Sequence, residues 1–159
     1  MTNIAVIGPG ENASPDAIAD GAKVGRAIAE RGWITLTGGR NAGVMSAAAR
    51  GASEAGGISI GILPTADKTN ASPYLTIALP TGLGEARNAV LVTAADAVIA
   101  CGMNPGTASE VALALRAGKP VVLVRPTAEA QAFFASLGDV VPYVTADPED
   151  GVAHLAPFL

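Results

Sequence analysis

The sequence predicts an α/β fold: a doubly wound, mostly parallel sheet with helices on both faces. Three observations carry that prediction. Short, wholly apolar runs alternate along the chain with longer segments whose apolar residues recur at helical spacing. Small-residue breaks, Gly8 to Gly10, Gly38-Gly39, Pro80-Thr81-Gly82 and Gly102 to Gly106, follow runs that read as strands. Half of the residues are hydrophobic, yet only one Trp, two Tyr and three Phe are among them, so Ala, Val, Ile and Gly supply thin strands and closely packed helices.

Each element follows in order. Ile4 to Ile7 is a continuous apolar run, as expected of a strand covered on both faces. Ser14-Pro15 reads as a helix N-cap with proline at the first helical position, and Ile18, Ala22, Gly25 and Ile28 continue the helix until Gly32 stops it. Trp33 to Thr37 makes a second strand, and a small-residue helix runs from near Gly43 to about Ala55. Ile58 to Leu63 is a third strand. After a polar loop containing Asp67, Lys68, Thr69 and Asn70, Leu75 to Leu79 is a fourth. A helix from Gly84 through Ala86, Ala89, Val90 and Leu91 leads to a strand over Ala97 to Cys101, and another helix follows through Val111, Leu113, Ala114 and Leu115. Val121 to Val124, a helix over Ala128 to Leu137, a short strand around Val141 to Val144 and a C-terminal helix after Pro148 complete the pattern.

Length and charge narrow the function. The 159 residues suit one domain, residues 1–159, able to bury roughly two thirds of its unfolded surface. A formal charge of −4 without a Lys/Arg cluster argues against nucleic-acid binding, where basic stripes supply most of the affinity. Cys101 is the only cysteine, which excludes a disulfide and a CxxC metal site, and the lone His154 reads as a surface residue rather than a metal ligand. Cys101 itself reads either as a small buried apolar residue or, beside a helix N-terminus, as a reactive thiol. Met1 to Gly10 has no signal-peptide pattern, and no apolar stretch reaches the ~18 residues of a membrane span, so a cytoplasmic protein without membrane contact is expected.

In a parallel sheet the strand C-termini share one edge, and the small-residue loops place a ligand there. Gly8-Pro9-Gly10-Glu11-Asn12-Ala13 matches a GxGxxA dinucleotide fingerprint, but Pro9 removes a donor, and no acid ends the second strand to hold a ribose. It reads as a tight turn able to line a mononucleotide pocket. Ala100 to Glu110 reads as strand, turn and helix, with unpaired N–H groups at the helix start suited to a phosphate. Thr107-Ala108-Ser109-Glu110 is also a capping box by sequence, and Arg87 alone reads as a solvated helix arginine.

Gly38-Gly39-Arg40-Asn41-Ala42-Gly43-Val44-Met45, Gly56 to Pro64, Ala86-Arg87-Asn88 and Gly106-Thr107-Ala108-Ser109-Glu110 together resemble the LONELY GUY (LOG)-like superfamily. That superfamily includes cytokinin-activating phosphoribohydrolases and molybdenum-cofactor carrier proteins, and many members have been labelled possible lysine decarboxylases. The resemblance implies a single Rossmann-like domain, a homodimer, and no pyridoxal chemistry or other resident cofactor. The Ala86-Arg87-Asn88 version looks like the carrier and uncharacterised branch, because the hydrolases have Glu-Arg-Lys there.

Carried over by position, the resemblance makes Arg87 and Glu110 the catalytic pair. It places a 5′-phosphate on the loop from Gly102 to Thr107, with Gly8, Gly38, Gly39, Gly43, Gly102, Met103, Asn104, Gly106, Thr107 and Ala108 as the binding set. Met103 and Asn104 stand where the hydrolases have glycines, and Pro105 deletes a backbone donor. These departures favour binding over hydrolysis. The expected function is a binding protein for a phosphate-bearing small molecule, AMP or a phosphorylated pterin, with hydrolysis of nucleoside 5′-monophosphates as the alternative.

Overall fold

The run from Ile4 to Ile7 has no polar residue to turn toward water, so it demands cover on both faces. The computed structural model, which describes residues 1–159, supplies it. Strand β1 (Asn3–Ile7) lies between β2 (Ile34–Thr37) and β5 (Ala97–Cys101), parallel to both. The sheet continues outward through β3 (Ile58–Leu63) and β4 (Ile77–Pro80) on one side, and β6 (Val121–Val124) and β7 (Tyr143–Thr145) on the other. All seven strands are parallel, in the order β4-β3-β2-β1-β5-β6-β7.

Six helices cover the two faces: α1 (Pro15–Glu30), α2 (Gly43–Glu54), α3 (Arg87–Ala94), α4 (Pro105–Arg116), α5 (Ala128–Ala135) and α6 (Pro148–Leu155). Strand alternation divides the core between them. Ile4, Val6, Ile99 and Val122 pack with Val24 and Ile28 of α1, Val44 and Ala48 of α2, and Val152 and Leu155 of α6. Ala5, Ile7, Val98 and Leu123 face the other way, onto Leu91 of α3, Val111 of α4 and Phe134 of α5. Helices α1 and α2 touch backbone to backbone: a Cβ on Gly25 would run into the Ala48 carbonyl.

Several boundaries differ from the sequence reading. Strand β4 starts at Ile77 rather than Leu75, because the Leu75 N–H turns back to the Ser72 carbonyl and the Leu75 side chain packs over Gly61. Strand β7 starts at Tyr143, after Pro142, which has no N–H to give the ladder. The segment from Gly84 opens as a short 3-10 turn over Gly84–Ala86 before α3 begins. Helix α4 begins two residues ahead of Thr107. Asn104 is its N-cap, with the side-chain oxygen accepting from the Thr107 N–H at 2.8 Å, and Pro105 takes the first helical position. The capping box expected at Thr107 therefore does not form.

Candidate functional site

The strand order reverses between β1 and β5, and in an open parallel sheet the crevice beyond the strand ends opens at such a reversal. A cavity of about 240 Å³ lies there. Gly8 follows β1, Gly38 follows β2, Arg87 and Asn88 open α3, and Asn104, Gly106, Thr107 and Glu110 come from the first turns of α4; all line the cavity. Three of the four small-residue loops converge on it. The fourth, Pro80 to Gly82, packs instead against the end of β3, with the Thr81 hydroxyl donating to the Leu63 carbonyl at 2.7 Å.

Five of the expected binding residues lie outside the lining. Gly39, at φ +80°, turns the chain against Gly61 and Leu63, and Gly43, at φ +47°, fits beneath the carbonyls of Pro9 and Gly10. Gly102, at φ +80°, packs on Pro9 and Ala17. Met103 and Ala108 turn into the core between the sheet and α3 to α5. These residues shape the loops from behind.

Arg87 is 7 % exposed, and its Nε has no hydrogen-bond partner. Gly38 makes room for it, since a Cβ there would strike the Arg87 guanidinium and approach the Met45 sulfur to 2.7 Å. Burial lowers the Arg87 pKa, and the nearby Glu110 charge opposes that shift. Glu110, also 7 % exposed, is pushed up to about 7 by burial, against the pull of Arg87 and with a further push from Glu85. The two side chains feel each other without forming a direct ion pair. The Thr107 hydroxyl, almost fully buried, has no partner.

The backbone supplies less than the sequence implies. Pro105 has no N–H, the Thr107 N–H is held by the Asn104 side chain, and the Ala108 N–H bonds the Asn104 carbonyl at 2.8 Å. In the first turn of α4 only Gly106 keeps an amide without a protein acceptor, while around the rest of the cavity Gly8, Gly10 and Gly38 do so too.

The site reading missed several charged and apolar lining residues. Arg40, after β2, donates to Glu11, after β1, across the cavity wall; Glu85 and Met45 also line it. An arginine directly after a strand-end Gly-Gly was the available signal for the first. A site able to offer two guanidiniums, a hydroxyl, an amide and a carboxyl poised near neutrality suits an oxyanion with several acceptor oxygens.

Comparison with known proteins agrees with this architecture. A model of the SLOG cluster4 family matches residues 1–149. The chain belongs to that family. Among solved structures, this SLOG cluster4 protein is similar to the molybdenum cofactor binding protein of the phototrophic bacterium Rippkaea orientalis, with TM-score 0.96 and 44 % identity over 98 % of this chain and 96 % of the other. It is also similar to the molybdenum cofactor carrier protein of Chlamydomonas reinhardtii, with TM-score 0.92 and 41 % identity over 99 % and 97 % of the two chains. An uncharacterized protein of Archaeoglobus fulgidus is 39 % identical over 126 residues, 79 % of this chain and 82 % of that one. The LOG-like, carrier-type resemblance of the sequence is thereby established.

Elsewhere in this SLOG cluster4 chain the two remaining candidates have structural settings. Cys101 is fully buried, and burial raises its thiol pKa far above the physiological range, so the thiol is inert. His154 is not a free surface side chain: it stacks on Tyr143, with ring centroids 3.6 Å apart, and packs near Phe158. No helix is long and apolar enough to cross a membrane.

Proposed function

We propose that this SLOG cluster4 protein binds a phosphate-bearing small molecule at the C-terminal edge of the sheet, and that its cargo is a phosphorylated pterin, the molybdenum cofactor. One observation carries the reading. Arg87 Nε and the Thr107 hydroxyl are buried polar groups without protein partners on the wall of one cavity, and leaving both unsatisfied costs about 1–3 kcal/mol each. A phosphate oxygen satisfies them together with the Gly106 amide. The similarity to two molybdenum-cofactor-binding proteins over nearly the whole chain supports the pterin as the rest of the ligand. At about 240 Å³ the cavity is small for a whole cofactor, so the phosphate end is seated and the pterin lies across the open mouth.

The test is retention of molybdenum cofactor, released from a molybdenum enzyme, by purified wild-type protein and by Arg87→Gln, with AMP titrated in parallel. Wild type retains the cofactor and the variant loses about 10- to 100-fold in affinity. Equal retention by both proteins, or none by either while both remain folded, overturns the reading. On the family resemblance we further infer a homodimer, which sedimentation of the purified chain checks.

Hydrolysis of nucleoside 5′-monophosphates is the second reading, favoured by one observation: Glu110, held near pKa 7, has the protonation range of a general base or acid. In that reaction water adds to the anomeric carbon as the bond to the base nitrogen breaks. The base leaves with the bonding electrons and collects a proton. Asn88, 8 % exposed on the cavity wall, stands where the hydrolases have lysine and so removes a cation from the phosphate side. We expect no base release from AMP; turnover that vanishes in Glu110→Ala reverses the order of the two readings.

A further inference from the structure

Arg40 is held in place by more than its own strand. Its backbone bridges to Ala71 in the loop between β3 and β4, the flanking Asn41 N–H donates to the Asn70 carbonyl at 2.7 Å, and the Ser72 N–H donates to the Gly39 carbonyl at 2.8 Å. A hydroxyl contact between Ser46 and Ser72 at 2.9 Å ties the same loop to α2. The Arg40 side chain then reaches across the cavity wall to Glu11 on the opposite loop. Arg87 lies within reach of the Arg40 charge, which adds to the lowering of its pKa. Two guanidiniums thus share one cavity, and the only partner of Arg40 there is a glutamate whose side chain is 64 % exposed.

Resting on the reading of the cavity as a phosphate site, we propose that Arg40 is the second guanidinium of the phosphate seat and Glu11 its exchangeable counterion, so that the site selects doubly charged phosphate monoesters. An exposed ion pair contributes little, so an incoming anion displaces Glu11 into solvent at small cost. Once freed, Arg40 and the buried Arg87 face the same group from the loop after β2 and from the start of α3. Two nearby cations repel each other, and an anion between them relieves that repulsion in proportion to its charge. A dianionic monoester gains from both arginines; a singly charged diester gains about half as much. Glu11 therefore acts through Arg40, weakening every anion that has to replace it.

The probes are methyl phosphate and dimethyl phosphate at constant ionic strength and about pH 7.5, above the second phosphate pKa near ~6, where the first is doubly and the second singly charged. Binding is followed by the arginine side-chain N–H signals of isotope-labelled full-length protein. In wild type the Arg40 and Arg87 signals move on one titration curve. Glu11→Gln tightens methyl phosphate by up to about fivefold. The exposed Glu30→Gln, at the far end of α1, serves as the net-charge control and leaves affinity unchanged. Arg40→Gln weakens methyl phosphate about tenfold or more and dimethyl phosphate less, narrowing the preference between them.

Arg87 responding while Arg40 stays silent, or Glu11→Gln matching Glu30→Gln, overturns the assignment and leaves the phosphate reading standing. Neither arginine responding in wild type or in Glu11→Gln overturns both. Both arginines responding in a protein that does not retain the pterin cofactor supports the seat while removing the proposed cargo.

Discussion

Glu110 carries the sharpest consequences at the scale of single residues. Its pKa stands at about 7 in the folded protein against 4.5 for an ordinary glutamate, so between those values the native state binds more protons than the unfolded chain. Stability is then highest below about pH 4.5 for this group and is lost as pH rises through about 7, by an amount on the order of 3 kcal/mol. Glu110→Gln, which cannot ionise, should unfold at a higher denaturant midpoint than wild type at pH 8 and at a similar midpoint near pH 4. Chemical denaturation at the two pH values checks the sign; a wild type gaining on the variant with rising pH would refute it. The same titration reaches the ligand. Affinity for a phosphate monoester should rise through about pH 6 as the ligand gains its second charge. It should then fall above about pH 7 as Glu110 becomes a buried anion beside it, and Glu110→Gln should abolish only the fall.

At the scale of elements, helix α4 shows both what the sequence reveals and what it conceals. Two start signals compete within seven residues. Thr107 with Glu110 forms a capping-box pattern, while Asn104 with Pro105 repeats the Ser14-Pro15 arrangement that starts α1. The proline signal wins, because Pro105 sets its own φ for a first helical turn and Asn104 supplies the side-chain acceptor. Strands β1, β5 and β6 were legible since their apolar runs admit only burial. The ends of β4 and β7 were not, since Leu75 and Pro142 are placed by turn and packing contacts made outside their own strands. Arg40 and Glu11 are 29 residues apart and meet only because β1 and β2 are neighbours, a fact no local pattern contains. The Asn104 cap also yields a test. Asn104→Ala should cost about 0.5–2 kcal/mol of stability. Asn104→Asp should keep the cap and the stability but place a charge on the cavity wall, weakening a phosphate ligand severalfold. Paired thermal melts and titrations separate the two effects; an Asp variant that binds as well as wild type would show that the α4 start does not face the ligand.

On the scale of the whole molecule, the site's donors come from both sides of the strand-order reversal: Arg40 and the β2 loop from one, Thr107 and the α4 start from the other, with β1 and β5 paired between them. A ligand held by both halves cannot stay bound while either half opens. Its binding energy is therefore added to global unfolding rather than to a local fluctuation. A ligand at about 100 times its Kd contributes about 2.7 kcal/mol, which for a domain of this size raises Tm by roughly 5–10 °C. Hydrogen exchange distinguishes this from local tightening. Amides of Ala5 and Val6 in β1 and Val98 and Ile99 in β5, all fully buried, should gain protection equal to the full stabilisation measured by melting. Arg87→Gln, at the same ligand concentration, should cut that gain to about 0.4–1.4 kcal/mol in both strands together. Protection that rises in the cavity loops while β1 and β5 stay unchanged would mean that the ligand clamps one loop only, and the two-sided seat would have to be given up.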